Sequence, residues 1–218
     1  MSHRTDAFLG LALVLSGIVA GGCNQGTAVQ EYYILEAART AAPMAAPNDA
    51  MLEVRRLSVD SAFATKSLIY RKGQSQYEPD FYREFLISPA PMITEQTRRW
   101  LADAGLFKQV LPAGSQIVPA YTLEGTITAL YGDFRDESAP QAILEIRYFL
   151  VEHNTADGAV VFSQSYRAAN PVLVRTVPAL TDALSKDLVE ILTRLEADLQ
   201  TTLTERAAKT GRADNRAP

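Results

Sequence analysis

The chain has 218 residues, with 25 acidic against 21 basic side chains and a formal charge of −4 at pH 7. That balance lacks the basic footprint of a DNA- or RNA-binding surface and excludes nucleic acid as a partner. One cysteine and two histidines rule out an internal disulfide and leave little from which to build a metal centre.

The first element is a targeting segment. A short polar start with Arg4 leads into an apolar core from Ala7 to Leu15, and small residues Ala20, Gly21 and Gly22 precede Cys23, which is the layout of a cleaved signal. The apolar run is shorter than the ~20 residues a spanning helix needs. Ala20-Gly21-Gly22-Cys23 resembles the bacterial lipobox, so residues 1–22 are expected to be a signal peptide and Cys23 the site of lipid attachment. Fatty chains such as palmitate on Cys23 would each add ~0.8 kcal/mol of membrane affinity per buried methylene. Asn24, in place of an aspartate, favours the outer membrane. Residues 23–30 form a polar leader, and at ~3.3–3.6 Å per residue they keep the folded part close to its membrane.

A strand is expected over 31–36, followed by an Ala- and Pro-rich exposed loop over 37–50. Further strands are read at 51–59, 67–71 and 80–87. Ile93, Thr97, Trp100, Leu101 and Ala104 then recur at helical spacing, behind Pro91 and ahead of Gly105, which predicts a helix over 91–104. Residues 106–111 are short and extended. From Tyr121 the pattern alternates, with Leu123, Gly125, Ile127, Ala129 and Tyr131 on one side. Ala142, Leu144, Ile146, Tyr148 and Leu150 repeat that alternation, and a third strand spans 159–167, so three strands form an antiparallel meander.

The strongest helical signal closes the chain. Val177, Leu180, Leu184, Leu188, Ile191, Leu195, Leu199 and Leu203 follow at three- and four-residue steps, a stripe suited to covering a sheet. The expected fold is α+β: a largely antiparallel sheet with a C-terminal meander, covered by a central helix and a long C-terminal helix in a two-layer sandwich. One domain would occupy 31–204, with a flexible polar tail over 205–218.

Chemistry is sparse in the remainder. His153 is the only histidine outside the signal, and no Gly-x-Ser-x-Gly elbow accompanies it, so it reads as a turn residue. Asp133, Asp136 and Glu137 read as a solvated hairpin turn, and there is no nucleotide-binding glycine motif. Neither a catalytic, cofactor nor metal site is expected, and the chain reads as a non-enzyme. An aromatic and basic group, Tyr70, Arg71, Tyr77, Tyr82 and Arg83 with Phe81 and Phe85, crowds two neighbouring strands. Such side chains are enriched at protein interfaces, while strand alternation would turn about half of them inward; both readings stay open.

The order of these parts carries a resemblance. A lipobox is followed by Tyr32-Tyr33-Ile34-Leu35, Leu57-Ser58-Val59-Asp60, Leu68-Ile69-Tyr70-Arg71, a stretch from Tyr82 to Met92, a Trp100-Leu101 helix and a long closing helix. This resembles the ABC-type transport auxiliary lipoprotein family over about 32–199. The resemblance implies an outer-membrane-anchored periplasmic lipoprotein. It would serve as docking or receiving component for a lipid transporter made of an inner-membrane ABC permease and a mammalian-cell-entry (Mce, MlaD-like) periplasmic protein. A structural lipoprotein assisting assembly of an envelope complex is the alternative, and homo-oligomerisation stays open.

Overall fold

The computed structural model describes residues 29–44, 49–153 and 158–214, with side chains through residue 209. Cys23, the signal and most of the leader lie outside the described residues. The elements run β1 (Glu31–Tyr33), β2 (Met51–Val54), β3 (Ser58–Val59), a 3₁₀ turn (Ser61–Phe63), β4 (Ser67–Arg71), β5 (Tyr77–Phe85), α1 (Pro89–Ala104), β6 (Gln109–Leu111), β7 (Tyr121–Asp133), β8 (Gln141–Glu152), β9 (Ala159–Pro171) and α2 (Val177–Asp214). All nine strands join one mixed sheet, and with two helices the fold is α+β.

The meander is the frame. β7 pairs antiparallel with β8 from Tyr121↔Glu152 to Asp133↔Gln141, and β8 pairs antiparallel with β9 along its whole length. Alternation turns Ala142, Leu144, Ile146, Tyr148 and Leu150 to the helix side, where all are buried. Between Ile127 and Ala129 the register slips by a bulge. There the Thr128 hydroxyl donates to the Glu145 carboxylate at 3.0 Å.

The first half of the chain lies along the other side of β7 in parallel steps. β2 pairs with Tyr121–Leu123, β3 with Thr126–Ile127 and β4 with Gly132–Asp133, so the segment climbs β7 from one end to the other. The expected strand over 51–59 breaks into two because Leu57 leaves the ladder. Its N–H donates to the Thr94 hydroxyl of α1 at 2.9 Å, and its side chain packs over Gly125, where an added Cβ would come within 2.6 Å of Leu57 Cδ2. β5 and then β1 extend the sheet beyond β4, at the end of β7 marked by Asp133.

α1 begins at Pro89, one turn being suited to a proline that lacks an N–H, and ends at Gly105 in the left-handed conformation (φ 71°). A Cβ at Gly105 would meet the Met44 carbonyl at 2.5 Å, so the chain before β2 is pressed against the helix end. That segment differs from the exposed loop expected from its composition. Arg39 donates from Nε and Nη2 to the two oxygens of Glu196, both at 2.9 Å, and Trp100 Nε1 donates to the same carboxylate at 2.8 Å. The Arg39 hydrogen bonds, resisted by burial and helped by Trp100, hold Glu196 below the usual carboxylate range. The clamp ties the loop to α1 and α2 together.

α2 lays Leu180, Leu184, Leu188, Ile191, Leu195, Leu199 and Leu203 into the core. It runs on to Asp214, so residues 205–214, expected as a flexible tail, continue the helix. The apolar stripe stops at Leu203, but Arg206 pairs with Glu152 at the end of β8, and the Ala, Lys and Arg beyond it are good helix formers.

Asp187 is the fully buried exception on the inner side of α2. Oδ1 accepts from the backbone N–H of Asn170 at 2.9 Å and from its side-chain amide at 2.7 Å, while Oδ2 has no hydrogen-bond partner. Burial outweighs those bonds and pushes the acid up to about 7. Between about pH 4 and pH 7 the folded state therefore holds a proton that the unfolded chain releases, and stability falls as pH rises, at about 1.4 kcal/mol per unit of pKa difference. Asp187→Asn should cut the loss of Tm between pH 5 and pH 8 by at least half in thermal melts. An unchanged Tm slope would show that Asp187 is ionised throughout.

Candidate interaction surface

Two strands and a turn build the site. β4 and β5 form an antiparallel hairpin with Tyr70 opposite Glu78 and Arg71 opposite Tyr77. Arg71 closes the turn by donating from Nε to the Gly73 carbonyl at 3.3 Å and from Nη2 to the Gln74 carbonyl at 2.8 Å. Along β4, Leu68 and Tyr70 point to the helix side, so Ile69 and Arg71 point to the side that no helix covers.

On that uncovered side an aromatic group assembles around Arg71. Phe63 stacks on Tyr131 at 5.8 Å between ring centroids, and Tyr77 meets the Tyr131 ring edge-on at 5.5 Å. The Arg71 guanidinium lies over both tyrosines, 5.4 Å from the Tyr77 centroid and 6.0 Å from that of Tyr131. Phe63 and Tyr131 are buried, whereas Tyr77 stays 43% exposed. The group therefore offers solvent a rigid ring and a cation fixed beneath it.

A bulge interrupts β5. Ile69 pairs with Pro79 but Ser67 pairs with Glu84, so the intervening residues of β5 loop outward. Asp80 shapes this loop: Oδ1 accepts the N–H of Tyr82 at 2.9 Å and of Arg83 at 3.0 Å, and Oδ2 accepts the Tyr70 hydroxyl at 3.0 Å. Burial pulls the Asp80 acid up, but these donors outweigh it and hold it below the ordinary carboxylate value. Phe81 and Tyr82 project from the loop, 80% and 54% exposed. Arg83 turns back, donating from Nε to Glu31 of β1 at 3.1 Å.

On the helix side a cleft of about 310 Å³ lies between this bulge, Phe134 and the first residues of α2. Tyr70 meets Phe134 edge-on at 5.5 Å, with Lys72 Nζ 5.5 Å and 5.2 Å from the two ring centroids. Lys72, Arg83 and Arg175 face Glu78, Asp80 and Glu137 across it, so its charges balance.

The five residues singled out by sequence thus divide three ways. Arg71 and Tyr77 share the uncovered side, Tyr70 and Arg83 take the cleft side, and Tyr82 stands on the bulge. Phe85 is core. Phe63 was not expected here, and Tyr131, expected on one face with Leu123 and Ile127, is turned to the opposite face by the bulge after Ile127; both join Arg71 only because β3 and β4 pair with β7. Asp80 carried a readable signal, since an Asp often accepts the N–H two residues on in such turns. Elsewhere, Asp133 pairs with Arg135 at 2.6 Å, Asp136 accepts from Ser138, and His153 Nε2 lies 2.7 Å from the Thr122 hydroxyl. Among the described residues, no three His, Cys, Asp or Glu side chains converge as a metal site.

Residues 32–206 match the family described as the ABC-type transport auxiliary lipoprotein component. The chain belongs to that family. This auxiliary lipoprotein resembles the crystal structure of protein XCC0632 from Xanthomonas campestris, with 18% identity, 83% of this chain and 98% of that chain covered, and a TM-score of 0.69. The crystal structure of an uncharacterized protein aligns with 78% of this chain and 99% of its own at 11% identity, with a TM-score of 0.63. At such identities the likeness establishes the fold. No curated protein matches the chain. Membership makes the molecule an envelope lipoprotein associated with an ABC transport system, in a family not known for catalysis.

Proposed function

We propose that this auxiliary lipoprotein is anchored in the outer membrane through acylated Cys23 and docks the periplasmic, Mce-type component of an ABC lipid transporter. The observation that supports docking is the Arg71–Tyr77 group. It combines an exposed aromatic ring, a pre-positioned guanidinium and a buried backing of Phe63 and Tyr131, the composition found at the centres of protein interfaces. Tyr70 and Arg83 support it indirectly by holding the β5 bulge to β1 and β4. Energy for transport would come from the permease, and the lipoprotein would supply position and a receiving surface.

The test is co-purification of the Mce-type protein with variants of the surface. Tyr77→Ala removes a half-exposed ring and should lower co-purification about tenfold, typical of an interface residue worth above 1 kcal/mol. Its edge contact with Tyr131 accounts for only about 0.5–1.5 kcal/mol of fold stability, so the protein should melt a few degrees lower at most. Arg71→Glu should abolish co-purification. Retention of the partner by both variants would overturn this choice of surface.

A further inference from the structure

We propose that the β1–β5 edge of the sheet, led by the Phe81–Tyr82 bulge, inserts into the headgroup and upper acyl region of the same bilayer that holds the fatty chains of Cys23. The inference rests on the acylation of Cys23 and adds a second membrane contact, made by the fold itself.

Beside Glu31, Arg83 and Glu84 the edge exposes a set of large apolar side chains, which free sheet edges normally avoid. In the register Tyr32↔Glu84, alternation places Tyr32 and Ile34 of the β1 segment on the same side as Leu86, which follows β5. Each of the three is more than two-fifths exposed. β1 covers only Arg83–Phe85 of β5, so the bulge stands clear of its neighbour with both aromatic rings outward. The projection is a built feature, since Asp80 takes the N–H groups of both Tyr82 and Arg83 and is itself fixed by Tyr70. An exposed Phe beside an exposed Tyr on a rigid loop suits the bilayer interface, where amphipathic rings settle at headgroup depth.

The chain itself indicates what covers this edge. Eight residue-to-residue steps lead from Cys23 to Glu31, the first residue of the sheet, so β1 lies at most about 28 Å from the acylated cysteine. β7, with thirteen residues, is about 40 Å long, and β4, β5 and β1 are attached at its Asp133 end. The short leader therefore keeps the bulge end near the lipid, while the loop before Tyr121 occupies the opposite end of β7. Charge does not drive the contact. Glu31 and Glu84 offset Arg83 along the edge, and the whole chain carries −4, so binding should be apolar and insensitive to the anionic-lipid content and to salt.

The test uses the processed, acylated protein in phosphatidylethanolamine–phosphatidylglycerol vesicles. With the Cys23 sulfur blocked by lipid, Phe81→Cys supplies the only free thiol, which is labelled with an environment-sensitive nitrobenzoxadiazole dye. Val118→Cys, at an equally open position (82% exposed) in the loop before β7, is the control. The dye at position 81 should shift to the blue and lose about half its emission to doxyl-labelled lipid, as expected for a group buried 5–10 Å into the interface, while the dye at 118 stays water-like. A water-like spectrum at position 81, or a blue shift that doxyl lipid does not quench, as a second copy of the chain would give, overturns the inference. Tyr82→Cys provides the same reading if Phe81→Cys folds poorly. Two labels per chain would mean a free Cys23 thiol, and would overturn the anchor and this contact together.

Discussion

Leu188→Asp or Ile191→Asp should leave the protein insoluble or rapidly proteolysed. Both side chains are fully buried on α2, in a core shared with Leu144, Ile146, Tyr148 and Tyr166 of the sheet. A carboxylate placed in that apolar core costs several kcal/mol, comparable with the 5–15 kcal/mol that holds a whole domain together. Expression with limited proteolysis and thermal melts provides the measurement. Two soluble variants with wild-type melting would mean that the α2 stripe does not form the core. A chain ending at Arg206 keeps every buried leucine of α2 and the Arg206–Glu152 pair, and should melt close to the full-length protein.

Cys23→Ser should move the protein out of the membrane fraction without changing its fold, since the sheet begins eight residues later. Among the described residues no helix is long and apolar enough to cross a membrane. The Phe81–Tyr82 edge alone would give only a weak, reversible attachment, because a few interfacial rings contribute far less than fatty chains of many methylenes. Fractionation with mass spectrometry of the N-terminal peptide checks the outcome. Unchanged membrane association, with residues 1–22 still attached, would show that the apolar segment is itself the anchor.

What could be read in advance follows the range of the forces involved. The meander and α2 are written in local periodicity, alternating residues from Tyr121 onward and leucines at three- and four-residue steps, so their type and burial were legible. The parallel climb of β2, β3 and β4 along β7 was not. Those strands are two to five residues long, and their partners lie 62 to 69 positions away, beyond the reach of any local pattern. The same distance hid Phe63 and Tyr131 from the Arg71 group. Composition misled at both ends: residues 37–44 look like a free Ala- and Pro-rich loop until Arg39 finds Glu196, and residues 205–214 lack an apolar stripe yet extend α2. The aromatic and basic character of β4 and β5 was visible, but the bulge at Asp80, which decides which rings face outward, appears only once the β4–β5 register is known.

An acylated envelope protein that holds the receiving end of an ABC lipid transporter, as proposed, should be found in physical contact with that transporter. Chemical cross-linking of the wild-type protein in its own envelope, followed by purification and peptide identification, tests it most directly. Cross-links should join residues near Arg71 and Tyr77 to a periplasmic Mce-type protein, with the ABC permease recovered in the same complex. Recovery of only outer-membrane or cell-wall assembly factors, with no component of an ABC transporter, would contradict it.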